Sequence, residues 1–168
     1  MASSTRTTGT AHAAQSSSKP ARILSIDYGQ QRIGLAISDE LGLTAQPLAT
    51  LQRKNRRADL RRLRDLARKN GVRAILVGSP VHLNGRHGQM AEEAARFAAR
   101  IREHLGLPVE LRDERLTSWE AEQIAMEIGL GRNADLDSLA AAILLREYLD
   151  EARNRKKSKR PVHAPCEK

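Results

Sequence analysis

The stretch RILSIDYGQQRIGLAIS, Arg22 to Ser38, holds two aliphatic runs separated by a short glycine-containing segment. Each run is long enough for a strand, and the connection is short enough for a hairpin. Asp27 closes the first run, directly against its aliphatic residues. Burying a carboxylate is costly unless a hydrogen-bond donor or a cation meets it. Two readings follow. Asp27 starts the turn before Gly29, since Asp and Gly are both turn formers, or it belongs to a site.

Outward from this hairpin, AQPLATL (45–51) reads as a third strand, and Pro47 favours an edge position because it lacks a donor. RADLRRLRDLARKNG (57–71) places Leu60, Leu63, Leu66 and Ala67 at helical spacing, with Gly71 as the stop. VRAILVG is a strand. GQMAEEAARFAARIREHLG is a helix with Met90, Ala94, Phe97 and Ile101 on one side. PVELRDE is a strand, and SWEAEQIAMEIGLG and DLDSLAAAILLREYLDEA are two further helices. The order β-β-β-α-β-α-β-α-α predicts an α/β fold with a mixed sheet and helices on its faces. No internal repeat is visible.

Length and composition fit one domain flanked by tails: 168 residues, 40% of them hydrophobic. Residues 1–21 are Ser/Thr/Ala-rich without periodicity and read as a disordered tail. Residues 22–152 carry the fold, and 153–168 read as a basic tail. No apolar run is long enough to span a bilayer, and no apolar segment suits secretion. The lone Cys166 excludes an internal disulfide and a cysteine-type zinc site. These features predict a cytoplasmic protein without a membrane partner.

The net charge is +9, unevenly spread. Residues 53–69 contain nine basic residues against Asp59 and Asp65, residues 151–168 are net +5, and residues 1–22 carry three positive charges and no acid. The remainder is therefore net −6. Such a pattern suits a protein that holds phosphates at its edges and a cation near its centre. Arg53, Arg56, Arg57, Arg61 and Arg64 are the candidate contacts on the arginine-rich helix, although a charge run of this kind is also a common solvated face. With only Tyr28, Phe97, Trp119 and Tyr148 as aromatics, a stacking platform for single strands is not expected. A duplex or duplex junction suits the chain better.

Acidic residues stand where elements change type: Asp27, Asp113 and Glu114 in LRDERLTS, and Asp137 in ADLDSLAAAI. Ligand sites in open α/β sheets gather at such strand ends and helix starts. Carboxylate oxygens suit Mg²⁺ or Mn²⁺, which can clamp a scissile phosphate. Asp137 is equally an ordinary first-turn acid favoured by the helix dipole, and Asp135 competes for the cap. Thr117 and Glu120 form a capping box. Ser138, Ala140, Ala141 and Ala142 are small, so the last helix can lie close to the sheet. The loop VGSPVHLNGRHGQ (77–89) offers Gly78, Arg86, His82 and His87, either as a surface loop or as a phosphate contact.

Four segments, ILSIDYGQQRIGLAIS, ILVGSPVHLNGRHGQMAEEAARFAARI, LRDERLTSWEAE and LDSLAAAILLREYL, together resemble the YqgF/RuvX family of Holliday-junction-resolvase-like nucleases. The resemblance covers about residues 22–150 in register. It implies an RNase H-like, RuvC-like mixed five-stranded sheet, with three antiparallel strands and then two parallel ones. It implies a metal-dependent nuclease, with processing of the 5′ end of pre-16S ribosomal RNA as the usual assignment and branched DNA as the alternative substrate. By the resemblance, Asp27, Glu114 and Asp137 are catalytic and hold Mg²⁺ or Mn²⁺. Gly29, Gly34, Arg115 and Thr117 shape or line the site, and Asp113 either assists the acids or only shapes the strand end. Two departures stand out. Ser79 occupies a place more often held by Leu, and Arg132 is the only cation shortly before the last Asp. A homodimer fits junction cleavage, which needs two active sites. Two other classes compete: an actin-like ATPase, which needs two such domains, and a non-catalytic nucleic-acid-binding factor, which has little reason to keep all three acids.

Overall fold

The computed structural model describes residues 22–80, 88–114 and 135–158, with the backbone alone described at Pro80, Asp113, Glu114, Lys156 and Lys157. The opening stretch folds as the expected hairpin. Strand β1, Arg22–Tyr28, pairs antiparallel with β2, Arg32–Ser38, and Asp27 faces Gly34 across the ladder. Strand β3, Ala45–Gln52, pairs antiparallel with β2 and forms one edge. The register shifts between Leu35 and Ala36, whose partners are Ala49 and Pro47, so Leu48 is the extra residue of a bulge. Proline is thus tolerated at an irregular edge, where no ladder donor is required.

Strand β4, Val72–Pro80, runs parallel to β1, and β5, Val109–Glu114, runs parallel to β4. The sheet order is β3-β2-β1-β4-β5. It is the mixed five-stranded sheet expected, three antiparallel strands followed by two parallel ones. In β4 the consecutive residues Ile75, Leu76 and Val77 are all buried, as a parallel strand covered on both faces requires.

Helices α1, Arg56–Lys69, and α2, Gln89–Leu105, cover one face. Leu24, Ile26 and Tyr28 of β1 point there and meet Leu60, Leu63, Phe97 and Ile101. Asn55 caps α1 by accepting from the Ala58 amide at 2.9 Å. Beyond Asn70, Gly71 takes a left-handed φ of 66° and turns the chain into β4, so it ends the helix as its position predicts.

Helix α3, Leu136–Ser158, covers the other face. Its Ala141, Leu144, Leu145 and Leu149 pack on Ala36 and Leu76. Each fully buried Leu contributes about 1.5–3 kcal/mol. The helix runs six residues past the expected start of the basic tail. Arg153–Asp150 and Arg155–Glu151 pairs support the extension. Arg153 also donates to the Leu43 carbonyl in the β2–β3 loop. The helix expected over SWEAEQIAMEIGLG and both tails beyond residues 22 and 158 lie outside the described residues. No helix among the described residues is long and apolar enough to cross a membrane.

Candidate active site at the ends of β1 and α3

Strand alternation assigns the acids to a face. Leu24, Ile26 and Tyr28 face α1 and α2, so Asp27 faces α3. On β5, Glu110 accepts from the Tyr148 hydroxyl and Arg112 pairs with Glu151, both contacts with α3. The same alternation puts the backbone position of Glu114 on the α3 face and that of Asp113 on the opposite one. The ladder pairs Pro80 with Glu114 and Ile26 with Val77, so positions 27 and 114 sit at the same end of parallel strands.

Asp137 reaches that end because a side chain is missing. A Cβ built on Gly34 would lie 1.9 Å from the Asp137 carbonyl oxygen and 2.9 Å from the Ser138 amide nitrogen. The first turn of α3 therefore rests on the bare backbone of β2, opposite Asp27. The small residues Ser138, Ala140 and Ala141 continue the close approach, and all three are buried. Asp135 takes the N-cap position. Its carbonyl accepts from the Leu139 amide at 3.1 Å and from the Ser138 hydroxyl at 2.9 Å, while its carboxylate accepts from Thr50 of β3. The competition between the two acids thus resolves: Asp135 is held in the cap, and Asp137 is turned towards the strand ends.

The two carboxylates interact. Asp27 is half-buried, and its pKa is pushed up to about 6, first by burial and then by the Asp137 charge. Among the described residues Asp27 has no hydrogen-bond donor or cation partner. Asp137 pairs with Arg32 of β2, Nε to Oδ2 at 2.9 Å, through a guanidinium more than half exposed. Spacing alone could not disclose Arg32, because its proximity arises from the tertiary seat of α3.

The turn between the strands is fixed from the other face. The Gly29 amide donates to the Arg32 carbonyl at 3.0 Å, and a Cβ at Gly29 would come within 2.6 Å of that oxygen. Arg53 donates to the Gly29 carbonyl at 3.0 Å, the Gln30 carbonyl at 3.2 Å and the Tyr28 hydroxyl at 3.0 Å. Its guanidinium lies 4.8 Å from the Tyr28 ring centroid and 3.5 Å from buried Asp59. Arg53 is a candidate nucleic-acid contact by sequence, and in the fold it braces the turn.

The remaining sequence candidates divide. Arg56, Arg57 and Arg61 are exposed on α1, and half-buried Arg64 stands 3.9 Å from Asp65. Gly78 is buried in β4, paired with Arg112, and Asp113 is paired with Ser79. Arg86, Arg115, Thr117, Arg132 and the loop histidines lie outside the described residues. Among the described residues no group of three His, Cys, Asp or Glu is placed to hold a metal. Asp27 and Asp137 form a pair, and only the backbone of Glu114 is described.

A β3-β2-β1-β4-β5 mixed sheet with acids at its strand ends defines an RNase H-like domain. The same architecture occurs in the Thermus thermophilus RuvC bound to a Holliday junction substrate, at a TM-score of 0.54 and 17% identity, covering 80% of this chain and 96% of that one. It occurs also in the fowlpox virus Holliday junction resolvase, at a TM-score of 0.50 and 18% identity, covering 77% and 99%. Residues 21–151 match the family model described as RuvX: Holliday junction resolvase. Relatives that carry the name "Putative pre-16S rRNA nuclease" include the following three. That of Koribacter versatilis is 44% identical over 77% of this chain and 86% of its own length. That of Syntrophus aciditrophicus is 46% identical over 77% and 88%. That of Geobacillus kaustophilus is 44% identical over 79% and 99%. The chain belongs to the RuvX family, and with it to the nucleases, enzymes that hydrolyse nucleic-acid phosphodiesters.

Proposed function

We propose that the chain is a divalent-metal-dependent nuclease that processes the 5′ end of pre-16S ribosomal RNA. One observation carries the metal reading: Asp27 and Asp137 converge from different elements, and burial together with the Asp137 charge raises the Asp27 pKa. RuvC-like resolvases generally depend on divalent metal. The oxygen-only donor set suits Mg²⁺ or Mn²⁺ better than zinc. Asp27, Asp137 and Glu114 are the residues that would hold the ion, which supplies Lewis-acid stabilisation of charge developing on the phosphoryl oxygens. The chain's own residues do the rest. Arg32 pairs with Asp137 and orients it, and Gly34 admits the first turn of the helix that carries it. In the net reaction water adds to phosphorus and one P–O ester bond breaks, leaving a phosphate monoester and a hydroxyl.

The RNA substrate is supported by the names of relatives that match nearly their whole length, and it implies a cytoplasmic location. The family description supports branched DNA as a second reading. That reading requires two active sites, hence a homodimer. Cleavage of a ribosomal RNA precursor and of a four-way DNA junction, each with and without Mn²⁺, separates them. The expected result is Mn²⁺-dependent cleavage of the RNA that Asp27→Asn abolishes while binding persists. Full cleavage by Asp27→Asn would refute the metal role. Binding without cleavage by the wild type in the presence of Mn²⁺ would favour a non-catalytic factor.

A further inference from the structure

On the face of the sheet away from the acids, an open cavity of about 360 Å³ lies between the β1–β2 turn, the start of α1 and the outer side of α2. Its floor is Arg53, already neutralised by Asp59 and stacked against Tyr28. Three further arginines converge on it: Arg56 from α1, and Arg96 and Arg100 from α2. The last two are four residues apart and so share one helix face. Arg56 and Arg100 have no hydrogen bond or ion pair among the described residues. Arg96 has only an exposed pair with Glu92 at 3.4 Å, which contributes little. Glu93 is the single carboxylate in the lining. Converging guanidinium groups repel one another unless an anion joins them, and their planar forks match phosphate.

The cavity and the acid pair lie on opposite faces of the sheet, on either side of the β1–β2 turn. Gln30, in the β1–β2 connection, lines the cavity, while Tyr28 and Asp27 are consecutive residues on opposite faces of β1. A polynucleotide engaged at the acids and at the arginines would cross that turn. We propose that Arg56, Arg96 and Arg100 seat a backbone phosphate of the nucleic acid whose neighbouring segment reaches the acid pair. The ligand class rests on the nuclease reading. The contact is to phosphate, so it carries no base preference.

The test is binding of a short fluorescent RNA duplex in EDTA, where no cleavage occurs, across a salt series. Four proteins are compared: wild type, Arg96→Gln/Arg100→Gln, Glu93→Gln, and Arg73→Gln/Arg146→Gln as a charge-matched control away from the cavity. The α2 double variant should bind on the order of tenfold more weakly, with a log K against log salt slope shallower by about 2. Glu93→Gln should bind more tightly, and it keeps the test decisive if the double variant misfolds. The control should change less than twofold. Unchanged affinity and slope in a folded double variant would overturn the seat, as would an equal loss in the control. Arg-dependent binding of inorganic pyrophosphate with unaltered duplex affinity would assign the cavity to free phosphates and overturn it also. Because the assay contains no metal, absence of nuclease activity does not affect its outcome.

Discussion

At the residue scale, Asp27 is destabilising in the metal-free protein. Its folded pKa of about 6 lies above the ordinary 3.8, so the folded state binds the proton more tightly than the unfolded chain. Stability from this group is therefore greatest at low pH, falls as pH rises from about 4 to about 6, and stays lowered above that. Asp27→Asn removes the penalty. In EDTA at neutral pH it should be more stable than wild type by roughly 1–3 kcal/mol, a gain of several degrees in Tm. The advantage should vanish near pH 4. Thermal melts across pH check both the sign and the window. A loss of stability at neutral pH would show that the carboxylate has a favourable partner instead. Gly34 gives a second test. A methyl group there meets the Asp137 carbonyl at 1.9 Å, which backbone cannot absorb without moving α3. Gly34→Ala should cost about 1–3 kcal/mol or more by overpacking and reduce cleavage at least in proportion to the displacement of Asp137. Wild-type melting and activity in Gly34→Ala would contradict the close seat of α3.

At the element scale, the β1–β2 turn is held by α1 through one side chain. Arg53 leaves the strand-to-helix junction, spans the turn carbonyls and returns its charge to Asp59, which is almost wholly buried. Asp59 also accepts from the Lys54 amide at 3.2 Å, tying the start of α1 to the same network. Removing one member of a buried pair leaves the other charge uncompensated. Because Arg53 is partly exposed, the loss for Asp59→Asn is on the order of 2 kcal/mol. Urea denaturation should show a lower midpoint with an unchanged slope. Exchange of the Gly29 amide, which donates to Arg32, should accelerate beyond the global change. An unchanged midpoint would mean that Arg53 holds the turn without Asp59.

At the scale of the whole molecule, the sheet is a frame that brings carboxylates from distant sequence positions to one end. Much of this was legible in the sequence. The hairpin, the Pro47 edge, the Gly71 stop and the small residues of the last helix each follow from local chemistry. Asp27 stood out as an acid at the end of an aliphatic run, and the fold brings Asp137 near it. What spacing could not carry were the cross-element contacts: Gly34 beneath Asp137, Arg32 beside it, and Arg53 under the turn. These depend on register and on which face a helix covers. The length of α3 was also underread, because its last turns are held by Asp150, Glu151 and the loop at Leu43 rather than by an apolar stripe. A whole-molecule consequence follows for metal. Mg²⁺ or Mn²⁺ should raise the Tm of wild type with the logarithm of its concentration above its Kd and leave Asp27→Asn within about a degree.

Direct Mn²⁺ binding, followed by electron paramagnetic resonance on the full chain, tests the shared carboxylate site most closely. Wild type should deplete the free Mn²⁺ signal saturably, and Asp27→Asn and Asp137→Asn should each lose that binding although both remain folded. Mn²⁺ binding by either variant at the wild-type level would contradict the account.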